Sequence, residues 1–274
     1  MKKITIIALH LGYGGIEKAI ASLSNMLCND YDIDIISTYK LYDRPAFDIN
    51  KKVKIKYLIN EKPNKQELLK ALKDFKILIL IKESIKSIKI LYLKRKLMID
   101  KIKSIDSDVI ISTRPLHNYW LGRYGSKEAL KIAWEHAHHN NKKLYIKFLL
   151  FSCKKIDYLV TVSEKLQKFY KQYLGDKCIY IGLALDEIPK IKSTLKEKRI
   201  ISVGRLSKEK GFLDLIDVFK LVNDKYPGWT LNIIGDGQER DKIEDKISKL
   251  NLNKSVILHG YKNREHVNKM LQTS

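Results

Sequence analysis

The sequence predicts an α/β protein made of two Rossmann-like domains that face a cleft, residues 1–184 and an incomplete second domain, residues 185–274. Short apolar runs alternate with amphipathic helical segments, which is the pattern of parallel βαβ units. A strand, a glycine turn and a helix occur in this order twice, at the N-terminus and again near residue 199. A polar stretch that contains Pro189 separates the two occurrences and predicts a domain boundary there.

The first domain opens with a strand at residues 4–9, a turn at GYGG and a helix at residues 16–27. The helix places Ile16, Ile20, Leu23 and Leu27 on one face. Further strands are predicted in YDIDIIST, SDVIISTRP, ALKIAWEHAHHN and DYLVTVS, and KCIYIGLALD closes this half of the chain. Helical sequence is predicted in residues 65–103, after Lys143 and in EKLQKFYKQYL. We expect ILILI to break the first of these helical stretches, and SDVIISTRP to end in a turn.

The second domain repeats the opening of the first. KRIISV predicts a strand, and FLDLIDVFKLV predicts a helix with apolar residues at helical spacing. WTLNIIGDG and SVILHGY predict two more strands, with a helix in ERDKIEDKISKLNL between them. A last helix is expected in HVNKMLQTS, so the second domain has three strands where a doubly wound domain usually continues for several more units.

The composition indicates a globular, basic protein. Of 274 residues 45% are hydrophobic, and 53 Lys and Arg face 31 Asp and Glu, a formal net charge of +22. The excess favours an anionic partner such as phosphate-bearing ligands, an acidic membrane face or nucleic acid, although a solvated lysine-rich surface explains it equally well. The three cysteines are far apart in sequence, which is typical of reduced thiols in a cytosolic protein. No apolar run reaches the roughly 18 residues of a membrane-spanning helix.

The segment GRLSKEKG, residues 204–211, predicts an anion site. It lies between a buried strand and a helix, where backbone N–H groups and the helix dipole favour negative charge. Arg205 and Lys210 supply a planar fork and a point charge that could reach one diphosphate. The alternative is a basic surface loop, and the segment is not a Walker A loop.

The segment GYGGIE, residues 12–17, predicts a second glycine turn at a helix start. Its glycines let a ligand approach the backbone without obstruction by a Cβ atom. A tight strand-to-helix turn is the alternative, and Glu17 then does no more than complement the helix dipole.

The segment WEHAHHN offers Glu135, His136, His138 and His139 as metal ligands. Neighbouring residues at a strand end point in opposite directions, so they do not converge, and we expect no metal site. One histidine as a hydrogen-bond or acid–base group is favoured instead, with His117 as a second candidate. Residues 76–104 are both basic and apolar, which suits either an anionic membrane surface or a core-packed helix with a lysine face.

These motifs together resemble the retaining glycosyltransferases of family 4, which have the GT-B fold. GYGGIE resembles the Gly-Gly-x-Glu turn of that family, and SVGRLSKEKGFLDLIDVF resembles its donor-phosphate loop, the most specific match. LNIIGDGQERDKIE and VILHGYKNRE follow in the order and spacing of the family. The chain stops at Ser274, before the place of the family's E-x7-E motif, so we expect a truncated member.

The resemblance implies roles for individual residues. Arg205 and Lys210 would grip the donor diphosphate, and Gly14 and Gly15 would let it approach the N-terminal domain. His136 matches the catalytic histidine near the transferred sugar. Tyr261 and Lys262 fall where the family holds the nucleotide base. The acceptor-side candidates are Tyr13, Arg114 and His117. The family needs no metal or other cofactor, because side chains neutralise the leaving diphosphate.

The function expected from the resemblance is sugar transfer from a nucleotide-diphosphate sugar to a glycan or lipid-linked acceptor, with retention, in surface polysaccharide biosynthesis. We expect a cytoplasmic protein, peripheral at the inner face of the plasma membrane, with no nucleic-acid partner. The first alternative is a truncated, non-catalytic homologue that binds nucleotide sugar, acceptor or a partner subunit. A GT-B-like epimerase is a second alternative, and it needs catalytic carboxylates that the motifs do not supply. A nucleic-acid binder is the most distant, because no recognition module occurs.

Overall fold

The computed structural model describes residues 1–137, 139–184, 191–193 and 195–273. The chain divides into two compact units, Met1–Asp186 (unit 1) and Glu187–Ser274 (unit 2). The predicted boundary between residues 184 and 185 adjoins residues 185–190, which include Pro189 and lie outside the described residues. This boundary therefore stays a prediction. The predicted α/β class with parallel sheets is confirmed in each unit.

Unit 1 is a parallel sheet of seven strands in the order β3-β2-β1-β4-β5-β6-β7. The strands are β1 (Lys3–Ala8), β2 (Asp32–Tyr39), β3 (Lys54–Ile59), β4 (Val109–Ser112), β5 (Leu130–Glu135), β6 (Tyr158–Thr161) and β7 (Cys178–Tyr180). The helices are α1 (Gly15–Leu27), α2 (Lys65–Lys73), α3 (Ile77–Lys103), α4 (Pro115–Tyr124), α5 (Lys143–Ser152) and α6 (Glu164–Leu174).

Both faces of this sheet are buried, because successive side chains of a strand point to opposite faces. In β1, Ile6 packs in a cluster with Ile20 of α1, whereas the next residue, Ile7, packs in a second cluster with Met98 of α3 and Leu121 of α4. The continuous apolar runs read from the sequence are therefore those of a sheet covered by helices on both sides.

Two elements of unit 1 were not predicted, and one expectation was wrong. β3 was not expected, because KIKYLI alternates lysines with apolar residues and forms the edge strand. α4 was not predicted either: SDVIISTRP was expected to end in a turn, and after the short link of Thr113 and Arg114 the chain continues as a helix from Pro115, whose missing N–H and fixed φ suit a first helical turn. ILILI does not break the helical stretch. It lies inside α3, and the break comes earlier, at Phe75, whose φ is 52°.

Unit 2 has three parallel strands in the order β10-β9-β8. Its elements are β8 (Arg199–Val203), α7 (Phe212–Lys225), β9 (Thr230–Ile234), α8 (Arg240–Lys249), β10 (Val256–Leu258) and α9 (Arg264–Gln272). The stripe predicted on α7 is confirmed, since Phe212, Ile216 and Phe219 are buried in the core of this unit with Leu231 and Ile243. Among the described helices none is both long and apolar enough to cross a membrane.

Candidate functional site

The polar residues of unit 1 gather where β1, β4 and β5 end. These strands are neighbours in the sheet, so their carboxyl ends meet at one edge, where ligands of parallel sheets bind. His10 follows β1, Arg114 follows β4 and caps α4, and His136 follows β5. The topology therefore brings together His136, Arg114 and His117, which the sequence had proposed separately.

Glu17 contacts two other polar residues of this edge. It is only 5% exposed, and its Oε1 lies 3.4 Å from His10 Nδ1 and 3.5 Å from Arg114 Nη2. A Cβ atom on Gly14 would lie 2.1 Å from Glu17 Oε2, whereas a Cβ on Gly15 would meet nothing within 4 Å. The carboxylate of Glu17 therefore occupies the space over Gly14, while Gly15 leaves its side of the turn uncovered.

His10 is held neutral beside this carboxylate. The N–H of Gly12 donates to His10 Nδ1 at 3.2 Å, so Nδ1 carries a lone pair and the ring proton is on Nε2. Burial lowers the pKa of His10, and Arg114 lowers it further, against the raising effect of Glu17. The ion pair at this edge is thus the one between Arg114 and Glu17.

His117 is fully buried on α4. Thr38 donates its hydroxyl proton to Ala8 O at 3.1 Å, so His117 Nε2, 3.2 Å from Thr38 Oγ1, is the donor of their hydrogen bond. Its Nδ1 is then an acceptor, and it has no partner among the described residues. Burial, with Lys94 and Arg114 nearby, lowers the pKa of His117 to about 3. His117 is therefore a neutral histidine with an unused lone pair.

His136 lies on the ring of Trp134, with ring centroids 4.3 Å apart. Its Nε2 is buried and has no partner within the part of the chain that the structure describes. Burial lowers the pKa of His136 to about 4, and Arg114 adds to the effect. At neutral pH it is an uncharged hydrogen-bonding group and not a general acid.

Glu135 uses its carboxylate in hydrogen bonds with neighbouring groups. Its carboxylate accepts from the N–H of Ala137 at 2.7 Å and from the hydroxyl of Tyr145 at 2.8 Å. Burial raises the pKa of Glu135 despite these bonds. His139 stacks on Phe169 at 4.0 Å between centroids.

The histidine segment therefore has no common focus in its described part. No group of three or more His, Cys, Asp or Glu side chains that could hold a metal occurs among the described residues. His138, which belonged to the metal-site hypothesis, lies outside them.

In unit 2 the three strands end at three glycines. Gly204 follows β8, Gly235 follows β9 and Gly260 follows β10, and the backbone joins them: Gly204 N–H donates to Ile234 O, and Gly235 N–H donates to Gly260 O, both at 2.9 Å. Gly235 has a φ of 144°, and a Cβ there would lie 1.8 Å from Gly204 O. Only glycine fits at Gly235, because its backbone packs directly against the backbone of Gly204.

The loop from β8 to α7 carries the predicted anion-binding residues. Gly211 has a φ of 68° and begins α7, as a glycine-bounded turn requires. Arg205 is 71% exposed and forms an ion pair with Glu209, 2.7 Å between Nη2 and Oε1. The Lys210 chain lies over Gly204, its Cδ 4.0 Å from where a Cβ would be. Both cations therefore sit at the glycine edge, and Arg205 is held by a carboxylate of its own loop.

A second close approach fixes this loop. The N–H of Leu206 donates to Asp236 O at 3.0 Å, and the N–H of Glu239 donates to Leu206 O at 3.1 Å. A Cβ on Gly237 would lie 2.3 Å from Leu206 O. The loops after β8 and β9 thus form one unit. The exposed Tyr261, with Lys262, follows Gly260 at the same edge.

Sequence reasoning missed several residues of these edges. Glu17 had been assigned no more than a dipole effect, and His10 and Lys94 no role. Gly235 and Gly237 lie in a D-G turn whose glycines gave a signal, but only the strand pairing shows that Gly235 faces Gly204. Glu209 was part of the quoted loop, and its i+4 spacing from Arg205 could have indicated the ion pair.

Comparison with known proteins identifies the second unit. Residues 185–274 match the family model described as Glycosyl transferases group 1. The chain is 27% identical over 259 residues to an exopolysaccharide phosphotransferase of Streptomyces coelicolor, covering 90% of this chain and 27% of that protein. It therefore spans about a quarter of the length of that relative.

Two further comparisons extend over nearly the whole chain. A Campylobacter jejuni protein named N-acetylgalactosamine-N,N'-diacetylbacillosaminyl-diphospho-undecaprenol 4-alpha-N-acetylgalactosaminyltransferase is 26% identical over 282 residues, covering 97% of this chain and 71% of its own. The structure of S. aureus TarM with fondaparinux, alpha-GlcNAc-glycerol and UDP matches 96% of this chain and 78% of its own, with a TM-score of 0.67 and 15% identity. Residues 185–274 are therefore similar to the group 1 glycosyl transferases, and the fold of the chain resembles that of GT-B glycosyltransferase structures.

Proposed function

We propose that this chain is a retaining glycosyltransferase that moves a sugar from a nucleoside-diphosphate sugar to a glycan or lipid-linked acceptor in surface polysaccharide biosynthesis. The observation that carries the proposal is the loop from β8 to α7, where Arg205 and Lys210 lie at a glycine edge and a helix N-terminus. The printed name of the Campylobacter relative, which acts on a diphospho-undecaprenol-linked sugar, supports the acceptor class. The UDP in the TarM structure supports the donor class.

The donor diphosphate is assigned to unit 2. Its negative charge grows as the sugar departs, and preorganised cations stabilise that charge most where no reorganisation is needed. Lys210 has its Cδ beside Gly204 and forms no ion pair with a carboxylate among the described residues, so we assign it a charge contact that needs no exchange of ion pairs. Arg205 must exchange its ion pair with Glu209 for the phosphate, so its contribution is reduced by that competition. Tyr261 and Lys262 are assigned to the base.

On unit 1, His136 is assigned a hydrogen bond to the transferred sugar. Its lowered pKa keeps the ring neutral, and its buried Nε2 has no partner among the described residues. Tyr13, Arg114 and His117 are assigned to the acceptor, for which the unused Nε of Arg114 is a buried donor. Gly14 and Gly15 keep their assignment to the donor side. Retention here requires no protein nucleophile, and Arg205 and Lys210 take the charge-neutralising role that a metal would otherwise have.

The reaction is placed in the cytoplasm, at the inner face of the plasma membrane. Among the described residues Cys28, Cys153 and Cys178 are free and buried, which suits a reducing compartment. A lipid-linked acceptor is reached only at a bilayer surface. The basic composition, with a net charge of +22, favours the anionic cytoplasmic leaflet.

The test is calorimetric titration of the chain with UDP, and with GDP as a second nucleotide. Lys210→Ala is expected to weaken binding by roughly ten- to a hundredfold, the effect of losing one charge-assisted contact of about 1.5–3 kcal/mol. Arg205→Ala is expected to weaken it at the lower end of that range. Glu209→Gln is expected to strengthen binding, because it releases Arg205 and removes a negative charge from the loop.

Lys208→Ala is the matched control, since Lys208 is an exposed lysine of the same loop that the proposal leaves without a role. It should bind UDP within about threefold of the wild type, as expected for a screened surface charge. A UDP affinity equal to that of the wild type in all four variants would show that the loop does not bind a diphosphate. A loss of affinity in Lys208→Ala as large as that in Lys210→Ala would show the same. Binding without transfer to any acceptor would favour the non-catalytic alternative.

A further inference from the structure

Helices α2 and α3 expose an unusual number of large apolar side chains. Phe75, between them, is 89% exposed, and Leu78 is 85% exposed. The others that are more than about half exposed on the two helices are Leu69, Leu72, Ile77, Ile81, Ile85, Ile88, Leu91 and Tyr92. Single exposed apolar residues need no explanation, but a contiguous set on one helical pair marks an interaction surface.

The inner side of the same helical pair is polar. Asn64, which precedes α2 and is buried, donates to Glu83 Oε2 at 2.6 Å and to Glu83 O at 2.8 Å. Ser87 donates to Asn64 Oδ1 at 2.8 Å. The hydrogen-bonding residues of the first half of α3 thus face α2, and its isoleucines face outward. This is the reverse of the arrangement of a helix whose surroundings are water.

The outward face has a regular pattern of apolar and basic residues. Ile81, Ile85 and Ile88 are spaced by four and three residues, so they form one stripe along α3. Each is followed directly by a lysine, so Lys82, Lys86 and Lys89 form a parallel stripe about 100° around the helix. All six side chains are exposed. We name these six residues the docking face.

The second half of α3 ties the docking face to the body of unit 1. Ile90 is buried against Tyr39 and Ile59 at the end of the sheet. Met98 and Ile102 are fully buried in the core. The docking face is therefore presented by a helix that is anchored in the fold, so its isoleucines do not need unfolding to become accessible.

Charge decides which partner this face fits. Residues 65–96 contain ten Lys and Arg against three Asp and Glu. A second copy of the chain would bring the same positive charge against it. A surface of anionic lipid offers phosphates to the lysines and, at greater depth, hydrocarbon to the isoleucines. Lysine side chains are long enough to reach from the depth of the isoleucines to the phosphates.

We propose that the docking face is a membrane-binding surface that lies on anionic phospholipid, with Ile81, Ile85 and Ile88 below the headgroups and Lys82, Lys86 and Lys89 at the phosphates. The proposal deepens the proposed function, on which it rests only for the placement at a membrane. Lipid binding needs no sugar donor, so the vesicle-binding test and the UDP titration can succeed or fail independently of each other.

The experiment is co-sedimentation of the full chain with vesicles of equal parts phosphatidylglycerol and phosphatidylcholine, and with vesicles of phosphatidylcholine alone. Binding is expected only to the anionic vesicles and should weaken when salt rises from about 0.1 M to 1 M, which shortens the Debye length from about 10 Å to 3 Å. The triple variant Lys82→Glu, Lys86→Glu, Lys89→Glu should lose more than about tenfold in partitioning, as should Ile81→Gln, Ile85→Gln, Ile88→Gln.

The matched control is Lys165→Glu, Lys168→Glu, Lys171→Glu, which changes the same number of exposed lysines on α6. It should retain partitioning within about threefold, because these residues lie outside the docking face. An equal loss in the control would reduce the effect to net charge and overturn the proposal. So would the absence of vesicle binding by the wild type, or a dimer in light scattering that the isoleucine variant abolishes while vesicles remain unbound. Far-UV circular dichroism of each variant confirms that the comparison is between folded proteins.

Discussion

Buried His117 should make the stability of unit 1 depend on pH. Its pKa falls to about 3 in the folded chain, from an ordinary value near 6.5, because the ring is fully buried beside Lys94 and Arg114. Between these two pH values the unfolded chain binds a proton that the folded chain excludes. Stability is therefore complete above about pH 6.5 and is lost as the pH falls, by up to about 1.4 kcal/mol per pH unit.

The perturbation is His117→Gln, which cannot titrate but can still donate a hydrogen bond to Thr38 Oγ1. Urea unfolding is followed by tryptophan fluorescence in a Trp229→Phe background, so that Trp120 and Trp134 report on unit 1 alone. Between about pH 6.5 and 5 the wild type should lose about 1.6 kcal/mol more than the variant. His136, with its pKa near 4, contributes the same sign in both proteins and cancels in the difference.

Each protein is compared with itself at about pH 7, where His117 of the wild type is neutral in both the folded and the unfolded state. The packing on Trp120 that the variant loses then appears as a constant offset between the two curves of stability against pH. The raised pKa of Glu135 has the opposite effect, because it lowers stability as the pH rises above the ordinary pKa of a glutamate. This effect is common to both proteins and cancels in the difference. Parallel pH curves for the two proteins would refute the reasoning, since they would mean that His117 is not the group that excludes the proton.

Three further predictions concern the two sheet edges. Gly235→Ala should destabilise unit 2 by more than about 2 kcal/mol in urea unfolding, because backbone strain and a clash with Gly204 O combine. Gly228 has a φ of 95° and no atom near its Cβ position, so Gly228→Ala should cost about 1 kcal/mol. Equal losses in the two variants would contradict the clash at Gly235. His136→Ala should lower turnover strongly and leave UDP affinity nearly intact, and near-normal turnover would remove it from the site. EDTA should leave UDP affinity and turnover unchanged, and a loss that Mg²⁺ restores would contradict neutralisation by Arg205 and Lys210.

The strands and helices with strong periodicity could be predicted from the sequence. α1 and α7 were predicted with their buried faces, because a one-sided helix at a sheet surface requires apolar residues every three to four positions. β3 and α4 were missed for opposite reasons. As an edge strand, β3 tolerates lysines at alternate positions, and α4 buries His117 and Asn118 as well as apolar residues, so it has no polar face to reveal it.

Contacts between distant residues set the limit for the site. The approach of Glu17 to Arg114 joins residues almost a hundred positions apart, and it follows from the pairing of β1 with β4. No local pattern contains it. Arg205 and Lys210 could be proposed from the sequence because their loop is a local structure, in which a glycine at each end bounds the turn. The tests of their role remain those of the proposed function.

The two glycine turns look alike in sequence, yet their geometry suits them to different ligands. At the start of α1, the carboxylate of Glu17 already fills the space over Gly14, so an anion arriving there would meet a negative charge. At the start of α7, the carboxylate of Glu209 binds a side chain, Arg205, and the space over Gly204 holds the ring of Phe212 and the aliphatic part of Lys210, neither of which carries a negative charge. A diphosphate therefore has to displace one exposed ion pair at α7, but a buried carboxylate at α1. The difference in cost favours the α7 turn for the phosphates, and it leaves Gly15, whose side of the α1 turn is uncovered, as the position where a neutral part of a ligand can approach the backbone.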